Sequence, residues 1–118
     1  MNLIRIVALA AIAALAVAVG AQARPAAPTL NGTVGPGFTI TLTQGGKKVS
    51  SLKAGSYTFK IADKSPIHDF HLTGPGVNKS TAVAFVGNQT WTLTLKKGTY
   101  KFVCDPHAPL MKGSFTVK

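Results

Sequence analysis

From about Gly32 onward, apolar and polar positions alternate every second residue, the pattern of strands with one buried face. Phe38, Ile40 and Leu42 alternate with Thr39, Thr41 and Thr43. Tyr57, Phe59 and Ile61 do the same, as do Trp91, Leu93 and Leu95. Further runs cover Ile67 to Thr73, Thr81 to Val86, Thr99 to Cys104 and Gly113 to Lys118. Turn signals at Gly45-Gly46, Ala54-Gly55, Gly74-Pro75-Gly76, Gly87-Asn88 and Lys97-Gly98 separate the runs. The pattern predicts about seven strands, and short strands with such punctuation form a β-sandwich or barrel. The expected class is therefore all-β, with the apolar member of each pair pointing inward.

Ahead of the alternation the chain reads as an export signal: Arg5 in a short basic start, an apolar run from Ile6 to Gly20, then Ala21-Gln22-Ala23 with small residues at the cleavage positions. Residues 1–23 are expected to be a signal peptide. An uncleaved anchor is the alternative, because the uncharged stretch from Ile6 to Ala23 approaches the roughly 20 residues of a spanning helix. Residues 24–31, with Pro25 and Pro28, read as a flexible leader, and residues 32–118 as a single domain. Export places the protein in the periplasm, outside the cell or at its surface.

Charge narrows the partners. Lys and Arg number 13 against three acids, Asp63, Asp69 and Asp105, for a formal net charge of +10. Such a surface steers toward acidic partners. Export and the lack of a recognition motif argue against nucleic acid. Lys64, Lys79 and Lys112, close in sequence to the chemistry described next, would favour a redox partner with an acidic docking surface.

Exported chains usually pair their cysteines, yet this one has only Cys104. A buried inert thiol or an intermolecular bridge would explain it, and so would a metal ligand. Cys104, His107 and Met111 place a thiolate, an imidazole and a thioether within eight residues. Two histidines, one cysteine and a weak axial methionine are the donor set of copper electron-transfer sites. The second histidine must come from the segment holding His68 and His71. Strand phase favours His68, which shares a face with Phe70 and Leu72, while His71 points to the other side. Met111 is placed by loop position alone. Zinc would accept Cys and His but generally takes a different donor set, and a Cys104–His107 nucleophile lacks an orienting partner.

These two segments resemble the cupredoxins, type 1 copper proteins of the plastocyanin, amicyanin and pseudoazurin kind. The resemblance implies a Greek-key β-sandwich holding one copper ion through His68, Cys104, His107 and Met111. It implies a monomeric one-electron carrier rather than an enzyme, with no small-molecule substrate. The electron port would be the edge of His107, ringed by Pro106, Ala108, Pro109 and Leu110 together with loop residues such as Pro75. Copper handling in the cell envelope and a metal-free accessory module are the alternatives. Two positions depart from the family: Asp69 stands where Asn is usual, and Asp105 where Ser or Thr is common. That Asn normally ties the ligand segments together, so two carboxylates would meet there, with repulsion or a shared proton as the result.

Overall fold

The computed structural model describes residues 25–118, so the expected signal at 1–23 lies outside the described residues. Among the described residues ten strands form: β1 (Thr29–Val34), β2 (Ile40–Gln44), β3 (Lys47–Lys48), β4 (Ser51–Leu52), β5 (Gly55–Asp63), β6 (His71–Gly74), β7 (Val77–Ser80), β8 (Gly87–Leu95), β9 (Gly98–Val103) and β10 (Lys112–Val117). They make two five-stranded sheets, ordered β3-β2-β1-β5-β8 and β4-β10-β9-β6-β7. Within each sheet one pair is parallel, β1 with β5 and β10 with β4, and the rest are antiparallel. Among the described residues no helix is long and apolar enough to cross a membrane.

The all-β sandwich is the one the alternation predicts, but the strand count is ten rather than seven. Two of the extra strands, β3 and β4, are two residues long, too short for alternation to register. A third, β1, carries its inward face on Leu30, Gly32 and Val34, and the central glycine hides the period. Thr29 to Asn31 therefore leave the expected leader, and Leu30 is fully buried. The glycine is required because a Cβ at residue 32 would stand 2.6 Å from Ile61 Cδ1 and 2.9 Å from the Phe70 ring. Thr81 to Val86, expected as a strand, forms a turn closed by Phe85 N–H donating to Ala82 O, with Val83 and Val86 exposed. The strand partner of β6 comes instead from Val77 to Ser80, reached through Gly76 at φ 70°.

The core is aromatic along the second sheet. Phe70 stacks on Phe102 at 5.6 Å, and Tyr100 stacks on Phe115 at 5.3 Å. Register then decides where the loops meet. His71, which opens β6, lies opposite Val103, which closes β9, while Val34 at the end of β1 lies beside Asp63 at the end of β5. Loops 35–39, 64–70 and 104–111 consequently gather at one pole of the sandwich. The opposite pole is fastened by Tyr100, whose hydroxyl donates to Pro75 O at 2.8 Å and accepts from Lys96 N–H at 2.9 Å.

Tyr100→Phe leaves both of those backbone groups unpartnered and is expected to cost about 1–3 kcal/mol. Urea unfolding checks it, and an unchanged midpoint would show that the hydroxyl does not fasten this pole.

Candidate metal centre

Cys104 continues the inward phase of Tyr100 and Phe102 one residue past β9 and is fully buried. The chain then makes one turn of 3₁₀ helix, Asp105–His107, with Pro106 at a position that suits its fixed φ and missing N–H. Backbone bonds close the loop on itself. His107 N–H donates to Cys104 O at 3.0 Å, Met111 N–H to His107 O at 2.9 Å, and Cys104 N–H to Met111 O at 3.0 Å. Three of the predicted donors thus ride on a loop shaped by its own backbone.

His68 comes from the connection between β5 and β6, which is not a regular strand even though the phase argument treats it as one. Buried Asp63 at the end of β5 holds the connection. Its carboxylate accepts from Ser65 N–H at 3.1 Å and from the Thr81 hydroxyl at 3.2 Å, and Thr81 Oγ1 in turn accepts from Phe70 N–H at 2.9 Å. Burial raises the Asp63 pKa, and the bonds from Ser65 and Thr81 pull it back down. His68 and Phe70 come out fully buried while His71 is half-buried on the outer face, the division that phase predicts.

The structure brings three donor atoms together. His68 Nδ1 lies 3.1 Å from His107 Nδ1, and Cys104 Sγ lies 3.6 Å from each. A point in the plane of that triangle is about 2.0 Å from all three atoms, within the range of metal–imidazole bonds and slightly short for metal–thiolate. The buried Nε2 of His68 has no hydrogen-bond partner, so nothing competes to turn the ring away. The residues therefore fit a trigonal N2S metal site. Met111, which closes the loop, is 1% exposed. Burial raises the Cys104 thiol pKa, and the backbone amides of Asp69 and His107 partly offset it. A metal entering here must displace that proton.

Two carboxyl groups do meet behind the ligands. Asp105 N–H donates to Asp69 Oδ1 at 2.6 Å, tying one ligand segment to the other. Burial, followed by the neighbouring Asp105 carboxyl, pushes the Asp69 pKa up to about 6. Asp105 moves the opposite way, because the Asp69 carboxyl and then His71 stabilise its charge. Below about pH 6 the pair therefore holds one proton, on the Asp69 side, and above it two negative charges face each other. His71 completes the chain: Nε2 lies 2.6 Å from Asn78 Oδ1 and Nδ1 lies 2.9 Å from Asp105 Oδ2. Asn78 first, then Asp105, raises its pKa.

Phe38 is the residue that the sequence pattern misplaces. Expected in the core, it is 59% exposed, and its ring meets His68 at 5.5 Å and His107 at 5.0 Å, edge to face. Gly35-Pro36-Gly37 just before it is the available sign that this stretch is a loop. The loop is closed by Gly35 N–H donating to Thr39 O at 2.9 Å. Pro75, expected around His107, lies instead at the opposite pole with Tyr100 and Gly98.

Residues 38–118 match the copper binding proteins of the plastocyanin/azurin family. No curated protein matches the chain. Among solved structures, the copper protein rusticyanin is similar at 22% identity over 76% of each chain, with a TM-score of 0.58. Reduced rusticyanin matches at 22% identity over 76% of this chain and 78% of that one, with a TM-score of 0.54. A methionine-to-glutamine mutant of rusticyanin matches at 25% over 76% of each, with a TM-score of 0.52.

The carboxyl pair gives a pH prediction for the metal-free protein. Asp69 titrates above its ordinary value of 3.8 in the folded state, so its contribution to stability is complete below about pH 4 and is lost as pH rises through 6. Asp69→Asn keeps the acceptor for Asp105 N–H and adds a donor for the Asp105 carboxylate. It is expected to stabilise the fold at pH 7 by on the order of 1–2 kcal/mol, and by much less at pH 4. Urea unfolding at both pH values checks this; an equal gain at each would show that Asp69 does not titrate between them.

Proposed function

The chain belongs to the copper-binding plastocyanin/azurin family, the cupredoxins, and on that premise we propose that it is a one-electron carrier with a type 1 copper site. The observation that carries this reading is the triangle of His68 Nδ1, Cys104 Sγ and His107 Nδ1 inside a closed loop. In the proposal those three atoms would hold the copper and Met111 would add a weaker thioether donor, the donor set of such centres. Copper bound there supplies a couple that gains or loses one electron.

The protein's own part is to hold the donors still. Cys104 gives up its thiol proton, and the neighbouring backbone amides of Asp69 and His107 favour the resulting thiolate. The Asp63–Thr81–Phe70 bonds hold His68, and the loop bonds hold the other three. Donors that cannot relax oppose little reorganisation to electron transfer. Phe38 covers the imidazole edges and keeps water from them. With Ile67 and Leu110, which are 53% and 74% exposed, it forms an apolar surface at the ligand pole for brief contact with a redox partner. The protein is proposed to act outside the cytoplasm, with residues 1–23 as its export signal, and not as an enzyme.

One equivalent of Cu(II) is expected to give an intense visible band from thiolate-to-copper charge transfer, bleached by reductant. Cys104→Ser should abolish the band, while His71→Ala should retain it. A colourless complex, or a band that survives Cys104→Ser, would sink the type 1 assignment. Phe38→Ala should keep the band but speed copper loss to an excess of chelator by about tenfold or more, as expected when an apolar cover over polar groups is removed. An unchanged release rate would show that the ring does not close the site.

A further inference from the structure

β10 is paired along only one of its sides for most of its length. β9 follows it from Lys112 to Val117, but β4 pairs only with Thr116 and Val117. Cys104 N–H bonds to Met111 O, and bonded positions alternate along an antiparallel pair, so Gly113 and Phe115 also face β9. Thr116 faces the other way and donates to Ser50 O at 3.0 Å. Lys112 and Ser114 share its direction, where β4 has already ended. Their backbone N–H and C=O groups form a short open edge, and β2 across the gap belongs to the other sheet.

That edge borders a groove of about 470 Å3 lined by Lys48, Lys101, Lys112, Val103 and Ser114. A second cavity of about 270 Å3 shares Lys48, Lys112 and Gly113 with it and is floored by Ile40, Leu42 and Phe102. No carboxylate lines either cavity. The three acids of the chain are accounted for elsewhere: Asp63 and Asp69 are buried, and Asp105 is paired with His71. Lys64 and Lys79, named with Lys112 as favouring an acidic partner, line neither cavity, and Lys79 lies on β7, at the other edge of this sheet.

We infer that the cleft between β2 and β10 binds an extended acidic segment of a partner protein, which adds a strand to the open edge at Lys112–Ser114. The backbone of the segment would complete the hydrogen bonds that β4 leaves unmade. Its carboxylates would reach Lys48, Lys101 and Lys112 along the rim, while alternate apolar side chains would enter over Ile40, Leu42 and Phe102. An unpaired edge, a one-signed rim and an apolar floor together describe an alternating acidic and apolar strand. A flat anionic surface such as a membrane could reach the lysines but not the edge. The cleft begins at Ile40 and Lys112, two residues from Phe38 and Leu110, and neither of those lines it, so the inference concerns a contact beside the exposed apolar surface and does not depend on copper.

The test is titration of the 15N-labelled protein, loaded with diamagnetic copper(I), with an acetylated Glu-Val-Glu-Val-Glu peptide. Amide shifts should cluster at residues 101–103 and 112–114, and the Lys112 and Ser114 amides should gain protection from exchange. Lys48→Glu/Lys112→Glu should weaken binding at least about tenfold, and raised salt should weaken it as well. A peptide N-methylated on the edge-facing amides should lose binding without any change to the protein. The metal-free protein should give the same pattern, which separates this result from the fate of the copper reading. The inference is overturned if the Gln-Val-Gln-Val-Gln peptide binds equally, or if shifts scatter over Lys53, Lys60, Lys96 and Lys97. It is equally overturned if the charge reversal has no effect, or if anionic phosphatidylglycerol vesicles bind at these lysines while the peptide does not.

Discussion

The hydrogen bond from Asp105 N–H to Asp69 Oδ1 joins two stretches of chain that reach the ligand pole from different parts of the sequence. On one side stands His68, held by Asp63 and Thr81; on the other stands the closed loop from Cys104 to Met111. The sheet register of β6 against β9 brings the stretches near each other, but only to within the tolerance of a loop. This bond sets the separation of His68 from Cys104 and His107 more finely. Its acceptor is a carboxyl group with a second carboxyl group beside it, and the His71 ring, 2.9 Å from Asp105 Oδ2, favours the charge on that second group.

The rest of the structure can be arranged around that constraint. Aromatic stacking of Phe70 on Phe102 anchors both ligand segments to the same core layer. Gly32 is bare because the Phe70 ring needs its space. Gly35, at φ 73°, lets loop 35–39 settle against His68, where a Cβ would stand 3.1 Å from the imidazole. The sandwich therefore supplies a stiff platform, and the three loops at one end supply the chemistry.

Much of this was legible in the sequence, and what was missed has physical causes. Alternation identifies Phe59, Ile61, Tyr100 and Phe102 as core because a strand's period is unambiguous over five or more residues. The same phase separates His68 from His71. It misplaces Phe38 because three inward positions in a row can begin two residues before the strand does. It sees a strand in Thr81 to Val86, where Thr81 is fixed by side-chain bonds to Asp63 and Phe70 that no local pattern reveals. The short β3 and β4 owe their existence to neighbours already in place, and the anchoring role of Asp63 appears only once Thr81 is beside it in space. The donors Cys104, His107 and Met111 are close enough in the chain to be recognised together, whereas the distance of His68 from them is a property of the fold alone.

The self-closed loop has a consequence for how such a protein can change over generations. Its three donors lie within one stretch bounded by the bond between Cys104 N–H and Met111 O. An insertion or deletion inside that boundary would alter the spacing of the donors while leaving the pairing of β9 with β10 in register. The platform and the loop can therefore vary separately, so inherited changes of loop length can explore new properties of the centre without first having to re-solve the problem of folding.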